Sequence, residues 1–508
     1  MRSPAHSVTA ARLSALLCTT LLGACSVGPD FLRPALPEAA GFTSERHGPA
    51  AFAAAARGVD AQQFLHGADV PGQWWKLFHS PALDALVDEA LAANPDVAAA
   101  QAALLQANEM ASAGQSDLFP TLSANGSHTR EEQLGNRTLG VSTASLNVSY
   151  ALDVFGGARR AAESAEAQAD YQRFQLEATY LSLTTNVVNA AVAIASLTGQ
   201  IQATKDVIRA ETDQLGMMEE SFKAGAIAQP DLLTQQSTLA QTRALLPPLE
   251  KQLAQARNQL MRLLGRFPNQ DKGETFSLAA LRLPKDLPVS LPSRLVEQRP
   301  DVRAAEAQLH EAGADVGVAI ANQLPQFTIT GDVGSNAASL DKLFTSGTGV
   351  WSLAGSAAQT LFDGAALEHR KRAAVAAYDG AKAQYKRTVL SAFQDVADAL
   401  RALEADADTL DAQILAETAA RETFEQSRTQ YQLGAITYLT LLNAEQTYQN
   451  AMINRIRAQG ARYSDTAALF QALGGGWWNR TDVAPESNGS SVRFALPPIH
   501  EIKLPGIR

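Results

Sequence analysis

From Leu176 to Phe222 the apolar positions step by alternating fours and threes. Leu176, Tyr180, Leu183, Val187, Ala190, Ile194, Leu197, Ile201, Ile208, Leu215, Met218 and Phe222 share one seam, interrupted only by Thr204 and Glu211. That heptad rhythm predicts a coiled-coil helix. The same rhythm returns at Val389, Phe393, Val396, Leu400, Leu403, Ala407, Leu410 and Ile414, then weakens at Glu417, Arg421 and Arg428. No proline occurs between Pro120 and Pro230 or between Pro325 and Pro485, so neither stretch holds the usual helix breaker. A continuous helix from Gly157 to Phe222 would run roughly 100 Å. Ahead of each rod the period changes to two. Leu146, Val148, Tyr150 and Leu152 alternate with Asn147, Ser149, Ala151 and Asp153, and Phe327, Ile329 and Val333 with Thr328, Thr330 and Asp332. Each of these strands has a partner candidate, one after Phe119 and one near Val350 to Phe362. Such alternation suits a half-buried sheet or a barrel wall between lipid and water.

The rods are two copies of one segment. "NPDVAAAQAAL" from Asn94 is answered by "RPDVRAAEAQL" from Arg299, and "VFGGARR" from Val154 by "LFDGAAL" from Leu361. "FKAGAIAQPDLL" from Phe222 is answered by "YQLGAITYLTLL" from Tyr431. A self-similar segment of this kind governs the fold. Each copy reads helix, strand, strand, long helix, turn, helix. The expected organisation is a leader over 1–24, an N-terminal lead over 25–90, a first repeat over 91–275, a linker over 276–298, a second repeat over 299–478 and a polar tail over 479–508. Gly225 and Gly434 read as the glycines that end the rods, and Asp363 as the N-cap of the second rod. Pro247-Pro248 is expected to break the first return helix and place a bend there, while the second return helix runs on.

Composition narrows the class. A formal charge of −10 implies no basic surface for nucleic acid. The eight histidines and six methionines show no clustering, and no HExxH, phosphate-binding loop or G-x-S-x-G in plausible context appears. An enzyme has little to stand on here. Arg2 and Arg12, an apolar run from Leu13 to Leu22 and then "LGAC" form a targeting segment. The Leu-Gly-Ala-Cys order resembles a bacterial lipobox, which makes Cys25 the expected lipid attachment site, and Ser26 after it favours the outer membrane. No other apolar run approaches the roughly 20 residues of a membrane helix, so a membrane crossing is expected to use strands. Four strands per chain leave two open edges, which hydrocarbon does not tolerate. Several chains must then pool their strands, and three would supply twelve.

"CSVGPDFLRP", "WWKLFHSPALDALVDEALAANPDV", "LPSRLVEQRPDVRAAEAQL", "NQLPQFTITG" and "ALGGGWW" together resemble the outer-membrane efflux lipoproteins of the TolC superfamily, nearly throughout the mature chain. The resemblance implies a mixed, mainly α fold: a transmembrane β-barrel shared by a trimer, continuing into a long periplasmic α-helical barrel. It implies a passive conduit for small molecules, working with a periplasmic adaptor and an inner-membrane pump of the resistance-nodulation-division type. Alternatives are a conduit for type I protein secretion and a lipid-anchored coiled-coil scaffold without a pore. The family's periplasmic constriction maps onto Tyr431, Leu439, Asn443 and Gln446, and its adaptor contact onto the turns at Gly225, Ala226, Gly434 and Ala435. Asparagine at 443 replaces a frequent aspartate, which puts an acidic ring at that level in doubt. Leu439→Ala is expected to raise single-channel conductance and sensitise cells to large antibiotics, and Leu239→Ala, in the outward repeat, to do neither. No cofactor or metal is expected, and the substrate is not legible.

Overall fold

A computed structural model describes residues 26–35, 41–42, 62–133, 137–290 and 292–480. Cys25, the expected leader and residues 481–508 of the expected tail lie outside them. The duplication is visible in helix lengths. In the first copy, α2 (Pro95–Ser116), α3 (Gly157–Lys223) and α4 (Gln229–Leu263) hold 22, 67 and 35 residues. In the second, α6 (Pro300–Ala321), α7 (Ala366–Gln432) and α8 (Tyr438–Ala472) repeat those values of 22, 67 and 35. At 1.5 Å per residue each long helix extends about 100 Å. The seam read from the sequence is its packing face. Leu183, Val187, Ala190, Ile194, Ile201 and Met218 are all buried where α3 meets α2, α4, α6 and α8.

Two shorter helices together cover each long one, and the echoed motif is where they join. Asn94 caps α2 by accepting from the Asp96 and Val97 N–H groups at 2.8 and 3.4 Å. Its amide also donates to the carbonyl of Leu263, the last residue of α4, at 2.8 Å. One side chain therefore satisfies the start of one helix and the end of another, both of which are otherwise left with orphan backbone groups. At the equivalent place Arg299 donates to the carbonyl of Ala472, the last residue of α8, at 3.1 Å. Its guanidinium also pairs with Asp301 at 2.7 Å and with Asp395 of α7 at 2.9 Å. Pro95 and Pro300 occupy first helical positions, where their missing N–H loses nothing. Gly265 and Gly474 follow the joined ends with φ of +68° and +90°, and a Cβ there would sit 2.4 and 2.8 Å from the carbonyls of Ala93 and Gln298. Both the turn and the close approach require glycine.

A belt surrounds these joints. β1 (Gln63–His66) pairs in parallel with β4 (Asp286–Val289), flanked by α1 (Pro81–Ala93) and α5 (Pro292–Gln298). Trp74, Phe78 and Phe470 are essentially fully buried, and the Trp74 ring stacks on Phe470 at 5.2 Å. The Tyr463 hydroxyl, from α8, donates to the Leu281 carbonyl at 2.7 Å. Bulky aromatics are scarce in this chain, and the belt is where they gather.

The remaining strands form one antiparallel sheet in the order β2 (Thr121–Gln133), β3 (Arg137–Leu152), β5 (Gln326–Ala337) and β6 (Gly349–Ala358). Its register sets Leu146 opposite Val333, Val148 opposite Leu122 and Trp351 opposite Val333. Directly opposed residues share a face, so this face is apolar around these pairs, with His128 opposite Ser142 further along it. The other carries Asn147, Ser149, Thr328, Thr330 and Asp332. Among the described residues β2 and β6 are free edges of this sheet. The lead enters at the foot of this sheet: the Val27 N–H donates to the Phe155 carbonyl at 3.1 Å, and Arg160 pairs with Asp30 at 2.5 Å.

Four details refine the sequence reading. α4 runs unbroken through Pro247 and Pro248. Two adjacent backbone hydrogen bonds are lost there, but Thr242 and Leu249 on either side stay buried, so packing holds the helix together. Asp363 does cap α7, through the Leu367 N–H at 2.8 Å, but from two residues before the N-cap, which is Ala365. α3 contains a stretch long and apolar enough to cross a bilayer by composition, yet more than half of it is buried within the chain. It is a core helix. Leu239, expected to leave the channel closed when replaced by alanine, is buried, at 4 % exposure. Leu239→Ala should therefore destabilise the protein by about 2–5 kcal/mol, seen as a lowered thermal midpoint of the purified protein.

Candidate functional site

Both long helices end in the same turn. After α3 the Gly225 and Ala226 N–H groups donate to Phe222 and Ser221 carbonyls, each at 2.9 Å. After α7 Gly434 and Ala435 donate to Tyr431 and Gln430, again at 2.9 Å. This is a Schellman closure, which needs a left-handed residue, and Gly225 and Gly434 supply φ of +73° and +72°. All four residues expected at the adaptor contact are exposed at the tips.

The structure brings together three of the four expected constriction residues. Leu439, Asn443 and Gln446 lie one helical turn apart along a single face of α8, and all are exposed, Leu439 at 60 %. This face is open in the single chain. Tyr431 stands apart on α7, half-buried, with its ring 5.8 Å from that of Tyr438. Among the described residues no cluster of His, Cys, Asp or Glu is placed to hold a metal ion.

Another face of α8 carries groups the sequence reading passed over. Tyr438, Glu445 and Gln449 are buried there, at 8, 4 and 4 % exposure. They meet Glu211 of α3 and Gln235 and Thr242 of α4, which are buried as deeply. Thr242 donates to Glu211 Oε1 at 2.9 Å, Gln449 donates to the same oxygen at 3.3 Å, and Gln235 donates to the Glu211 carbonyl at 3.1 Å. The Tyr438 hydroxyl donates to Gln235 Oε1. Burial raises the Glu211 carboxyl above its usual range, against the hydrogen bonds from Gln449 and Thr242 and the charge of Arg243. Burial, reinforced by Glu211 and opposed by Arg428, pushes Glu445 up to about 7. Burial likewise pushes the Tyr438 hydroxyl up, with Glu445 adding to it. The signal for this cluster was present as the break in the α3 seam at Glu211. The other break, Thr204, is locally satisfied, donating to the Gln200 carbonyl at 2.8 Å.

An amphipathic four-stranded sheet joined to two long helical hairpins now has a match among known proteins. The outer membrane efflux protein family matches residues 86–266 and 291–475. The chain belongs to that family. It is 31 % identical to the pyoverdine export outer membrane protein OpmQ of Pseudomonas putida, over 80 % of this chain and 88 % of that one. It is 27 % identical to the toluene efflux pump outer membrane protein TtgC of the same species, over 94 % and 98 %. The solved outer-membrane channel OprN superposes with a TM-score of 0.80 at 27 % identity, covering 89 % of this chain and all of that one. This efflux protein is accordingly an outer-membrane component of an efflux pump, a transport conduit with the architecture of the TolC-like channels.

The tip turns of the efflux protein invite a direct check. A Cβ on Gly434 would meet nothing within 4 Å, so only its φ of +72° resists substitution. Gly434→Ala should weaken the tip by about 1–2 kcal/mol, and Gly434→Asn by less, because asparagine tolerates the left-handed region. Hydrogen exchange at residues 431–438 should rise more in Gly434→Ala than in Gly434→Asn while the global melting transition stays put.

Proposed function

We propose that three copies of this chain join their sheets edge to edge, β6 of one against β2 of the next, into a twelve-stranded barrel. The two-faced sheet with free edges carries this reading. Its apolar face suits lipid, its polar face suits a wet lumen, and exposed strand edges within hydrocarbon demand partners. The six long helices then form a tube continuing into the periplasm, ending at the turns around Gly225 and Gly434. We assign the adaptor contact to those turns with Ala226 and Ala435, and the drive to an inner-membrane resistance-nodulation-division pump beyond the adaptor. The relatives are named for pyoverdine and for toluene, two chemically unlike cargoes, which supports a conduit that leaves selection to the pump. A scaffold without a pore gives the apolar sheet face no purpose.

The constriction is assigned to Leu439, Asn443 and Gln446, with Tyr431 bracing the turn behind them. Three copies of the open α8 face would converge near the axis, and burying each leucine is worth roughly 1.5–3 kcal/mol. Leu439→Ala should raise single-channel conductance in planar bilayers and sensitise cells to large antibiotics. Leu233→Ala, at a residue 54 % exposed on the other hairpin, should do neither. Equal leak from both substitutions would remove the gate assignment.

The anchor is assigned to Cys25. The chain is pinned at the foot of the sheet from Val27 onward, so acyl chains on Cys25 would lie at the membrane border. Cys25→Ser should abolish acyl labelling and leave an unprocessed precursor. Recovery of unmutated mature protein without lipid would count against the assignment.

A further inference from the structure

Glu211 and Glu445 sit on different hairpins, α3 and α8, and both are buried, at 1 and 4 % exposure. Each keeps one carboxylate oxygen, Oε2, without a hydrogen-bond partner. Gln449, one turn along α8 from Glu445, reaches Glu211 Oε1 at 3.3 Å, so the two acids share one small polar enclosure. The remaining groups around it do not neutralise a second negative charge. Thr242 and Gln235 of α4 are neutral, Tyr438 of α8 and Tyr431 of α7 are phenols, and Asp231 of α4 adds a further negative charge. Arg243 of α4 and Arg428 of α7 contribute at a distance from exposed positions and form no ion pair with either glutamate among the described residues. Two carboxylates in such a site cannot both ionise without strong cost. The enclosure lies where α3 packs on α8, between the two hairpins and on a different face of the helix that carries Leu439.

We propose that Glu211 and Glu445 form a shared proton site that locks the packing of α8 against α3, and that loss of this proton loosens the second hairpin and opens the tip. The opening step rests on the constriction assigned above, whereas the proton site does not. The sign follows from linkage. The packed state favours the protonated Glu445, so the lock is at full strength below the ordinary glutamate value of 4.5 and is lost as pH rises from there to about 7. Across that window the ratio of packed to separated hairpins falls by at most a few hundredfold, about tenfold per pH unit. An acidic periplasm would hold the tube shut, and a neutral one would leave it easy to open.

Infrared difference spectra of the purified protein, titrated from pH about 5 to about 8, test the site directly. The neutral carboxylic acid band should titrate near the upper end of that range. Part of the band should vanish in Glu445→Gln, and that part should shift to lower pH in Glu211→Gln, which removes the neighbouring charge but not the acid itself. Asp406, raised to about 7 by burial and by Asp465, supplies a background that persists in both variants. In planar bilayers, wild-type conductance should rise with pH over the same window, while Glu445→Gln, permanently neutral, should stay low throughout. An unchanged band in Glu445→Gln overturns the proton site. A titrating band with pH-independent conductance overturns the lock, and Leu439→Ala then reports on the gate separately.

Discussion

A helix of 67 residues must be covered along its length, and in each repeat the cover is made of two shorter helices joined end to end. Everything else depends on those joints. Where α4 meets α2, and α8 meets α6, orphan carbonyls and orphan amides face each other in the middle of the rod. Asn94 closes one joint with hydrogen bonds to both helices, and Arg299 closes the other by reaching the final carbonyl of α8. The belt of β1, β4 and the buried tryptophan-rich turn gathers around the same level. A weaker joint would let each hairpin slide against its neighbour, and the sheet at one end would lose its fixed relation to the tips at the other.

The sheet is the second constraint. Its register places Leu122, Leu146, Val148, Ile329, Val333, Trp351 and Leu353 on one side, and in the single chain that side is open. A soluble protein would have to cover it. In an outer-membrane efflux protein the cover is the hydrocarbon, and the helices, which need water, begin only where the strands stop. Arg160 and the strap from Val27 to Asp30 mark that transition.

Near the tips the apolar seam is interrupted by buried polar groups. Apolar burial between α3 and α8 continues through Ile194 and Ile201 and then meets Glu211, Gln235, Glu445 and Gln449. A buried polar cluster is worth less than a filled apolar core, and it can change state with protonation.

Much of this was legible from residue order. Helix and strand announce themselves through periods of seven and two, the duplication through its echoes, and the family through motifs spread along the chain, because local periodicity is set by which face must be apolar. Three things were not legible in that way. Pro247-Pro248 argues locally for a break, but the packing of α4 on α3 along its whole length outweighs two missing hydrogen bonds. Leu239 carries no mark distinguishing it from Leu233, since only the hairpin's rotation decides that one is buried and the other exposed. The meeting of Glu211 with Glu445 joins residues more than two hundred positions apart, and no local pattern encodes that distance. The sequence by itself determined the elements, their repeat and their amphipathic faces. Which polar groups those faces enclose together was decided only when the two hairpins packed, because burial is a property of the partner surface and not of the residue.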